Sequence, residues 1–250
     1  MKKISIITIT YNCEKTLLDT ITSVNNQTAR EFIEYIIVDG QSTDSTIQII
    51  KDNEHLIDNW ISEKDTGIYD AMNKGLNLAT GEWVGFLHAD DLFFDNTIIE
   101  TIISQVNNSE YNCLYGNLNY VREEYPHQTV RYWKSQKFTK KLLKRGWMPP
   151  HPTVYLRKDH IDKLGLFNTN YKIAADYDYM LRVFSNADTK SLFLDQTLIN
   201  MRLGGVSNNS INNIIQKSKE DYRALRLNNV GGFYALFVKN VSKVVQFVQK

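Results

Sequence analysis

The sequence predicts an α/β fold in which a mostly parallel sheet is flanked by helices. Strand and helix patterns alternate through residues 1–110, and such alternation is typical of parallel strands joined by helical crossovers. Polar clusters follow these strands directly, and ligands of parallel sheets bind beyond the carboxyl ends of the strands. The chain has 250 residues, of which 42% are hydrophobic, so one or two domains can bury a sizeable core.

Each element of the first 110 residues has its own sequence pattern. Runs of β-branched and other apolar residues predict four buried strands, each followed by a polar loop. Apolar residues at helical spacing predict a helix after each strand, and Ser42, Thr43 and Asp44 offer caps for the second helix. The predicted strands are 4–9, 35–38, 60–62 and 82–87, and the predicted helices are 14–28, one through Ile50, 68–79 and 95–106.

The later half of the chain is less regular. A Pro-rich turn at 148–152 is expected to be rigid, and the Gly-Gly-Val-Ser loop at 204–207 is flexible enough to close over a ligand. No internal repeat and no linker marks a domain boundary. The predicted strands are 111–120, 129–133, 153–156 and 191–194, and the predicted helix is 174–185.

Charge, cysteine content and hydropathy exclude several classes of protein. Lys and Arg number 29 against 28 Asp and Glu, so the formal net charge of +1 offers no general basic field for nucleic acid. Two cysteines, Cys13 and Cys113, exclude a disulfide scaffold and a four-cysteine zinc site. No run of about 18 apolar residues predicts a transmembrane helix. The start of the chain fits a first strand better than a signal peptide, so a cytoplasmic protein is expected.

Residues 232–250 predict a terminal amphipathic helix without acidic residues. The pattern has two interpretations, a helix docked on the domain or a helix lying in the interface of an anionic membrane, and the sequence leaves both open. Its apolar side carries Phe233, Leu236, Phe237, Val241, Val244, Val245 and Val248, and its basic residues are Lys239, Lys243 and Lys250.

The strongest local signal is His88-Ala89-Asp90-Asp91 at the end of the fourth predicted strand. Two adjacent carboxylates cannot both point into the core, and hard oxygen ligands suit Mg²⁺ or Mn²⁺, which take phosphate oxygens as further ligands. The alternative is that Asp91 caps the next turn while Asp90 is solvated.

Other polar groups also follow strands or begin helices. Asp39 ends the second strand, where it could bind a base or a ribose or could cap the next helix. Asp70, Asn73 and Lys74 share one helical face, which is either functional or a solvated face with an Asp–Lys pair.

Asp176 follows two small residues, Ala174 and Ala175, which leave room for a substrate. Its carboxylate could take a proton from an attacking hydroxyl, or it could cap the helix that runs to residue 185. Asp178 and Arg182 are four residues apart and are expected to pair on the surface. Dinucleotide-binding, P-loop and nucleophile-elbow glycine motifs are absent from the sequence.

Taken in order, four segments resemble the family 2 glycosyltransferases of the GT-A fold. The resemblance is strong over residues 1–110 and moderate over 145–208. It implies a non-processive, inverting enzyme of bacterial capsule, exopolysaccharide or O-antigen assembly, which transfers a sugar from a nucleotide-diphospho-sugar to an acceptor hydroxyl. The segments are ISIITITYN at 4–12, YIIVDGQSTDST at 35–46, EKDTGIYDAMNKGLNLATGEWVGFLHADD at 63–91, and AADYDYMLR at 174–182.

The resemblance also implies roles for the matching residues. Asp176 would be the general base, and Asp90 and Asp91 would hold Mn²⁺ or Mg²⁺. His151, between two prolines, is expected on the acceptor side or as a fixed turn residue, and the acceptor would be a lipid-linked saccharide. Together with the polar groups above, the residues expected to bind the nucleotide-sugar are Thr10, Tyr11, Asn12, Asp39, Asp65, Asp70, Asn73, Lys74, His88 and Asp90.

The same likeness divides the chain into three parts. Residues 1–110 would be the nucleotide-sugar-binding half and 111–210 the acceptor-binding and catalytic half of one GT-A domain. Residues 211–250 would be a C-terminal helical extension. A cytoplasmic enzyme at the inner face of the membrane, with a peripheral contact through this extension, is expected.

Two positions depart from the family's pattern. His88 stands where the family often has the first Asp of its DxD motif, and Ala175 replaces the Glu of its Glu-Asp motif. These departures leave open a non-catalytic nucleotide-binding subunit. A sugar-phosphate nucleotidyltransferase is the other alternative, but the first strand lacks the glycine-rich loop that such an enzyme should carry. Because no Q-x-x-R-W motif is present, processive synthesis is not expected.

Overall fold

Nine strands form one sheet in the computed structural model, which describes residues 3–107, 110–203 and 211–248. The strand order is β3-β2-β1-β4-β8-β6-β9-β5, and β7 pairs with β6 off this path. The predicted α/β fold is confirmed. The strands are β1 (Ile4–Thr10), β2 (Ile33–Asp39), β3 (Asn59–Ser62), β4 (Trp83–Phe86), β5 (Asp91–Phe93), β6 (Cys113–Val121), β7 (Thr129–Trp133), β8 (Tyr155–Arg157) and β9 (Ser191–Arg202).

The strands of the first half are parallel, as the alternating pattern predicts. β1 lies between β2 and β4, and β2 also pairs with β3. In this register Thr10 lies beside Asp39 and Asp39 lies beside Ser62, so three carboxyl ends meet at one edge. β8 then enters antiparallel between β4 and β6, and the sheet becomes mixed from there onward.

Helices cover both faces of this sheet. Ile7 and Ile9 of β1 pack with α3 and α7 on one face, and Ile4 and Ile6 pack with α1 and α4 on the other. Because side chains alternate along a strand, one fully buried strand serves both cores. The helices are α1 (Leu17–Asn25), α2 (Thr46–Asp52), α3 (Ile68–Leu78), α4 (Ile98–Val106), α5 (Lys140–Leu143), α6 (Lys158–Leu164), α7 (Ala175–Ser185), α8 (Ile211–Leu227) and α9 (Phe233–Val248).

Several boundaries differ from the sequence prediction. β9 runs to Arg202 rather than to residue 194, because its pairing with β6 continues past a polar stretch that interrupts the apolar pattern. β5 and α6 were not predicted, since one has three residues and the other is mostly polar. His151–Thr153 forms a short 3₁₀ turn, so β8 begins at Tyr155 rather than at residue 153. The predicted loop at 204–207 lies outside the described residues.

α9 is docked on the domain. Its Lys239 side chain is 5% exposed, and Nζ lies 2.7 Å from Oδ1 of Asp221 on α8 and 3.1 Å from the centroid of the Tyr177 ring. Lys239 therefore does not belong to an exposed basic face. The predicted apolar positions Val244, Val245 and Val248 and the basic positions Lys243 and Lys250 lie outside the side chains that the structure describes.

Asp178 and Arg182 form the expected pair, but its predicted position on the surface is wrong. Arg182 Nε lies 3.1 Å from Asp178 Oδ2, and Asp178 is 5% exposed. Asn228, which follows α8, donates its amide to Asp178 Oδ1 at 2.9 Å. Asp178 is buried because α8 packs over α7, whereas Arg182 is partly exposed. Among the described helices, none is both long enough and apolar enough to cross a bilayer.

Candidate active site

Asp39 joins the ends of β2 and β3. Its side chain is fully buried. Oδ2 accepts hydrogen bonds from the backbone N–H of Ser42 at 3.0 Å and from the Ser62 hydroxyl at 2.6 Å, and Oδ1 accepts from the Ser42 hydroxyl at 2.5 Å. The alternative of a helix cap is wrong, because the N-cap of α2 is Ser45. Asp39 instead shapes the loop between β2 and α2.

The chain turns out of the sheet directly after β1. Thr10 is buried, and its hydroxyl has no hydrogen-bond partner among the described residues. Asn12 has a left-handed φ of 53°, and its Oδ1 accepts from the backbone N–H of Thr43 at 2.8 Å. The turn therefore ties the β1 loop to the β2 loop and leaves Tyr11 59% exposed.

Gly40 marks the point where three predicted nucleotide-binding segments converge. An ideal Cβ built on Gly40 would lie 2.5 Å from Asp65 Oδ2 and 3.4 Å from Tyr11 Cδ2. Asp65 is held there because its Oδ1 accepts from the backbone N–H of Gly67 at 2.9 Å. The loops after β1, β2 and β3 therefore meet in one small surface around Gly40.

The polar face of α3 fastens neighbouring segments. Asp70 accepts from a backbone N–H of the preceding loop at 2.9 Å, and Lys74 lies 2.9 Å from Glu63 in the same loop. Asn73 exchanges two hydrogen bonds with the backbone of Phe167, each 2.9 Å long. The Asp70–Lys74 pair of the alternative interpretation is present, with Lys74 Nζ 4.0 Å from Asp70 Oδ2. The three side chains are nevertheless partly buried, so the face is not simply solvated.

Asp90 directly precedes β5 and Asp91 is its first residue, at the same edge of the sheet. Asp91 is 1% exposed, and its Oδ1 has no hydrogen-bond partner among the described residues. Burial and the charge of Asp90 raise the pKa of Asp91 well above its usual range, and burial raises the pKa of Asp90. Asp91 does not cap a turn, since it begins a strand.

An unpartnered buried oxygen beside a second carboxylate fits a divalent cation, which would relieve the repulsion between the two charges. Among the residues that the structure describes, no cluster of three or more His, Cys, Asp and Glu side chains could hold a metal. Two protein carboxylates are compatible with Mg²⁺ or Mn²⁺, because such ions usually keep waters and bind substrate phosphates.

Arg202 is a candidate residue that the sequence analysis missed. It ends β9, beside the pairing of Met201 with Asp91, and its side chain is 4% exposed. Nη2 lies 2.5 Å from Asp19 Oδ2, whereas Nε and Nη1 have no hydrogen-bond partner in the described part of the chain. Its charge acts on both Asp90 and Asp91 and lowers their pKa values against the effect of burial. An isolated Arg after an apparent loop offers no sequence signal.

Two partly buried histidines lie side by side in the same site. The rings of His88 and His151 are 5.6 Å apart, and neither His88 Nδ1 nor His151 Nε2 has a hydrogen-bond partner within the described ranges. Burial lowers the pKa of His88 to about 3, and burial also lowers the pKa of His151. The charge of Asp176 acts on both rings in the opposite direction, so Asp176 faces the end of β4.

Asp176 is the second residue of α7, whose N-cap is Ala174, so the helix-cap alternative for Asp176 is wrong. Its Oδ1 accepts from the backbone N–H of Tyr177 at 2.8 Å and from the Tyr69 hydroxyl at 3.4 Å. The Tyr69 hydroxyl lies 2.6 Å from the carbonyl of Ile173. One oxygen of Asp176 is therefore oriented by the protein, and the residue is only partly buried.

Tyr120 on β6 connects the two halves of the site. Burial, together with the charges of Asp91 and Asp176 and against the charge of Arg131, raises the pKa of its hydroxyl to about 12. The Tyr120 ring stacks on Trp133, and the Arg131 guanidinium lies 4.8 Å from the centroid of the Tyr120 ring. Because the charges of both carboxylates act on one hydroxyl, Asp91 and Asp176 both lie near Tyr120.

Comparisons with known proteins show the family to which this chain belongs. The family model for glycosyl transferase family 2 matches residues 5–163. A PGL/p-HBAD biosynthesis glycosyltransferase of Mycobacterium bovis (strain BCG / Pasteur 1173P2) is 31% identical over 209 residues, which are 82% of this chain and 78% of that protein. An uncharacterized glycosyltransferase of Methanocaldococcus jannaschii is 26% identical over 207 residues, or 80% of this chain and 70% of that protein.

Two solved structures share the fold. S. aureus TarS 1–349 in complex with UDP-GlcNAc aligns with a TM-score of 0.73 and 20% identity, over 91% of this chain and 66% of that one. The mannosyltransferase PcManGT of Pyrobaculum calidifontis, in complex with GDP-Man and Mn²⁺, aligns with a TM-score of 0.66 and 15% identity. This alignment covers 95% of this chain and 68% of the PcManGT chain. The chain thus spans slightly less than two thirds of the TarS chain. With its GT-A fold and a family match over most of its length, this chain is a member of glycosyltransferase family 2.

Proposed function

We propose that the protein is an inverting glycosyltransferase that moves a sugar from a nucleotide-diphospho-sugar to an acceptor hydroxyl. The observation that carries this proposal is that Asp91, whose buried Oδ1 has no hydrogen-bond partner among the described residues, and the partly exposed Asp176 come from opposite halves of the chain and both lie near Tyr120. Inversion requires the acceptor to attack the anomeric carbon from the face opposite the leaving diphosphate. A hollow with one carboxylate on each side suits that geometry.

The donor would lie along the carboxyl ends of the first four strands. The surface around Gly40, formed by Tyr11, Asp65 and the loop that Asp39 shapes, suits the base and the ribose. The buried guanidinium of Arg202, with two unpartnered nitrogens, suits the diphosphate oxygens. The sugar-nucleotide complexes of TarS and of the archaeal mannosyltransferase support this class of donor.

Asp70, Asn73 and Lys74 would act on the donor indirectly. Their contacts hold the loop that carries Asp65 and the segment at Phe167. Positioning by such contacts accounts for the polar density of this segment without a direct contact to the substrate.

A divalent ion, Mn²⁺ or Mg²⁺, would be held by Asp91 and Asp90. Such an ion stabilises the negative charge that develops on a diphosphate leaving group. Arg202 is suited to share that task, because its charge already acts on both aspartates. His88 would lie beside the diphosphate as a neutral imidazole, since burial lowers its pKa.

Asp176 would be the general base. Its carboxylate removes the proton of the acceptor hydroxyl as the hydroxyl oxygen bonds to the anomeric carbon and the bond from that carbon to the diphosphate breaks. Tyr69 and the start of α7 hold one carboxylate oxygen, which leaves the other for the proton. The products are the nucleoside diphosphate and a glycoside of inverted configuration.

The acceptor would bind on the side of His151, Trp133 and Arg131. We expect it to be a lipid-linked saccharide of a bacterial surface polysaccharide such as a capsule, an exopolysaccharide or an O-antigen. The enzyme would then work at the cytoplasmic face of the membrane, where such carriers are elongated.

The test combines binding with turnover. Nucleoside diphosphates and nucleotide-sugars with Mn²⁺ should raise the melting temperature of the wild-type protein, since a ligand bound only by the native state stabilises it. Asp176→Asn should keep this shift but lose about 10²-fold or more of the acceptor-dependent release of nucleoside diphosphate. The exposed Asp188→Asn is the matched control and should transfer normally. Sugar transfer by Asp176→Asn at a near wild-type rate would show that Asp176 is not the general base.

A further inference from the structure

We propose that residues 134–145 and the outer side of α9 form one docking surface for a bilayer of anionic phospholipid. The transfer reaction described above uses neither element. The docking surface consists of Lys134, Lys137, Lys140, Lys141, Lys144 and Arg145, together with Phe233, Tyr234, Phe237 and Val241.

The basic part of the docking surface is a concentrated charge in a nearly neutral chain. Residues 134–145 contain six basic side chains and no acidic one, whereas the whole chain has a formal net charge of only +1. All six basic residues are exposed. Basic clusters of this kind are attracted to anionic lipid headgroups, with an energy that adds up over the Lys and Arg side chains near the surface.

The apolar part is a row of aromatic side chains that the protein does not cover. Phe233 is 76% exposed, Tyr234 is 68% exposed, Phe237 is 59% exposed and Val241 is 45% exposed. The spacing of 233, 237 and 241 places these residues on one helical stripe. Three exposed aromatic rings on one helix are an unusual patch for a protein surface in water, and they suit the headgroup and acyl boundary of a membrane.

The two parts are adjacent because the backbone after residue 145 touches α9. An ideal Cβ on Gly146 would lie 2.5 Å from the carbonyl oxygen of Ala235 and 2.8 Å from Lys239 Cβ. Ala235 and Lys239 lie on the buried side of α9, at 1% and 5% exposure. Lys144 and Arg145 therefore lie next to α9 along the chain, on its buried side, and the exposed side of the same helix carries the aromatic row.

A membrane is the partner that matches both parts. Cations beside an aromatic stripe on a convex helix are the pattern of interfacial helices, in which buried apolar area and attraction to anionic lipid act together. Lys239 is not part of this charge, since it pairs with Asp221. The cations come instead from the segment before Gly146, which the sequence pattern of the terminal helix alone does not indicate.

The docking surface also adjoins the acceptor side of the site. Lys134 directly follows Trp133, whose ring stacks on Tyr120 at 6.3 Å between centroids. In this respect the inference rests on the proposed function: a surface docked at this end would present the hollow to an acceptor that is anchored in lipid.

Co-sedimentation of the full chain with vesicles tests the docking surface. The protein should bind vesicles of phosphatidylcholine mixed with phosphatidylglycerol, less well at high salt, and should bind pure phosphatidylcholine weakly. Lys140→Glu with Lys144→Glu should weaken binding to the mixed vesicles by about tenfold or more. Phe233→Ser with Phe237→Ser should weaken the binding that persists at high salt.

The matched control is Lys51→Glu with Lys163→Glu, which reverses two exposed lysines on α2 and α6 and should change binding by less than about twofold. Equal binding to both kinds of vesicle, or unchanged binding by the Lys140 and Lys144 double variant, would overturn the proposal. Melting shifts with nucleoside diphosphate and Mn²⁺ should be the same in all variants, so a failure of the donor site would be recognised separately.

Discussion

Gly40 illustrates how one residue without a side chain permits a binding surface. Its backbone approaches Asp65 so closely that a methyl group would lie 2.5 Å from Oδ2. Gly40→Ala should therefore displace the Asp65 side chain from the surface around Gly40, to which we assign the nucleoside. We expect the KM for the donor to rise about tenfold, the loss of one good hydrogen bond to a charged group, while kcat changes less. Initial rates at varied donor concentration measure both quantities.

The control for this substitution is Gly232→Ala. Only the end of the Arg226 side chain comes within 4.0 Å of a Cβ at that position. A general effect of Gly→Ala substitutions on the chain would therefore alter both variants. If Gly40→Ala bound the donor normally, the nucleoside would have to lie elsewhere along the strand ends.

At the scale of the elements, the sequence predicts those that have local signals. The parallel strands β1, β2 and β4 are recognisable because they are buried on both faces and read as apolar runs. Only the first four residues of β9 are recognisable in the same way, because its middle residues are polar and its pairing with β6 is a long-range contact. Arg202 lies at the end of that strand, so the sequence offers no sign that it reaches Asp91.

Long-range contacts also explain why the sequence left two interpretations open for the C-terminal helix. Its amphipathic pattern predicts an apolar side, but two different partners can cover such a side. The contact with α8 depends on Asp221, a buried acid whose role becomes evident only when Lys239 lies beside it at 2.7 Å. Likewise, Asp91 and Asp176 come from distant segments of the chain. The sequence therefore identifies them as candidate residues but does not reveal that both lie near Tyr120.

The Lys239–Asp221 pair makes a prediction for the docking of α9. Both side chains are buried, at 5% and 2% exposure, so removing one leaves an uncompensated charge in the interior. Lys239→Met should lower the free energy of unfolding by about 3 kcal/mol, whereas Lys239→Met with Asp221→Leu should recover much of the loss. Urea unfolding followed by circular dichroism measures both. Equal losses in the single and double variants would mean that the pair does not determine the stability of this contact.

At the scale of the whole molecule, the histidines and the aspartates buried in and around the site have opposite effects on how stability depends on pH. Burial lowers the pKa of His88, His151 and His160, whereas burial raises the pKa of Asp90 and Asp91. Acid therefore destabilises the native state through the histidines and stabilises it through the aspartates. The net pH profile reflects both effects, and only a comparison of variants separates them.

His160 isolates the histidine effect, because it lies outside the active site. Its Nε2 lies 2.8 Å from the Thr189 hydroxyl, which itself donates to the carbonyl of Val183, so Nε2 carries the proton. Nδ1 then faces the amide nitrogen of Asn112 at 3.5 Å as an acceptor. A second proton, on Nδ1, would meet that donor.

The sign of the pH dependence follows from this geometry. The pKa of His160 is lower in the native state than the value of about 6.5 in the unfolded chain. The stability that neutral His160 contributes to the native state is therefore fully present above a pH of about 6.5 and is lost as the pH falls below that value. The free energy of unfolding should fall by up to about 1.4 kcal/mol per pH unit for this residue. Urea unfolding of His160→Gln at a series of pH values should give a shallower slope than the wild type. The exposed His55→Gln should keep the wild-type slope, and a steep slope in His160→Gln would assign the acid sensitivity to other groups.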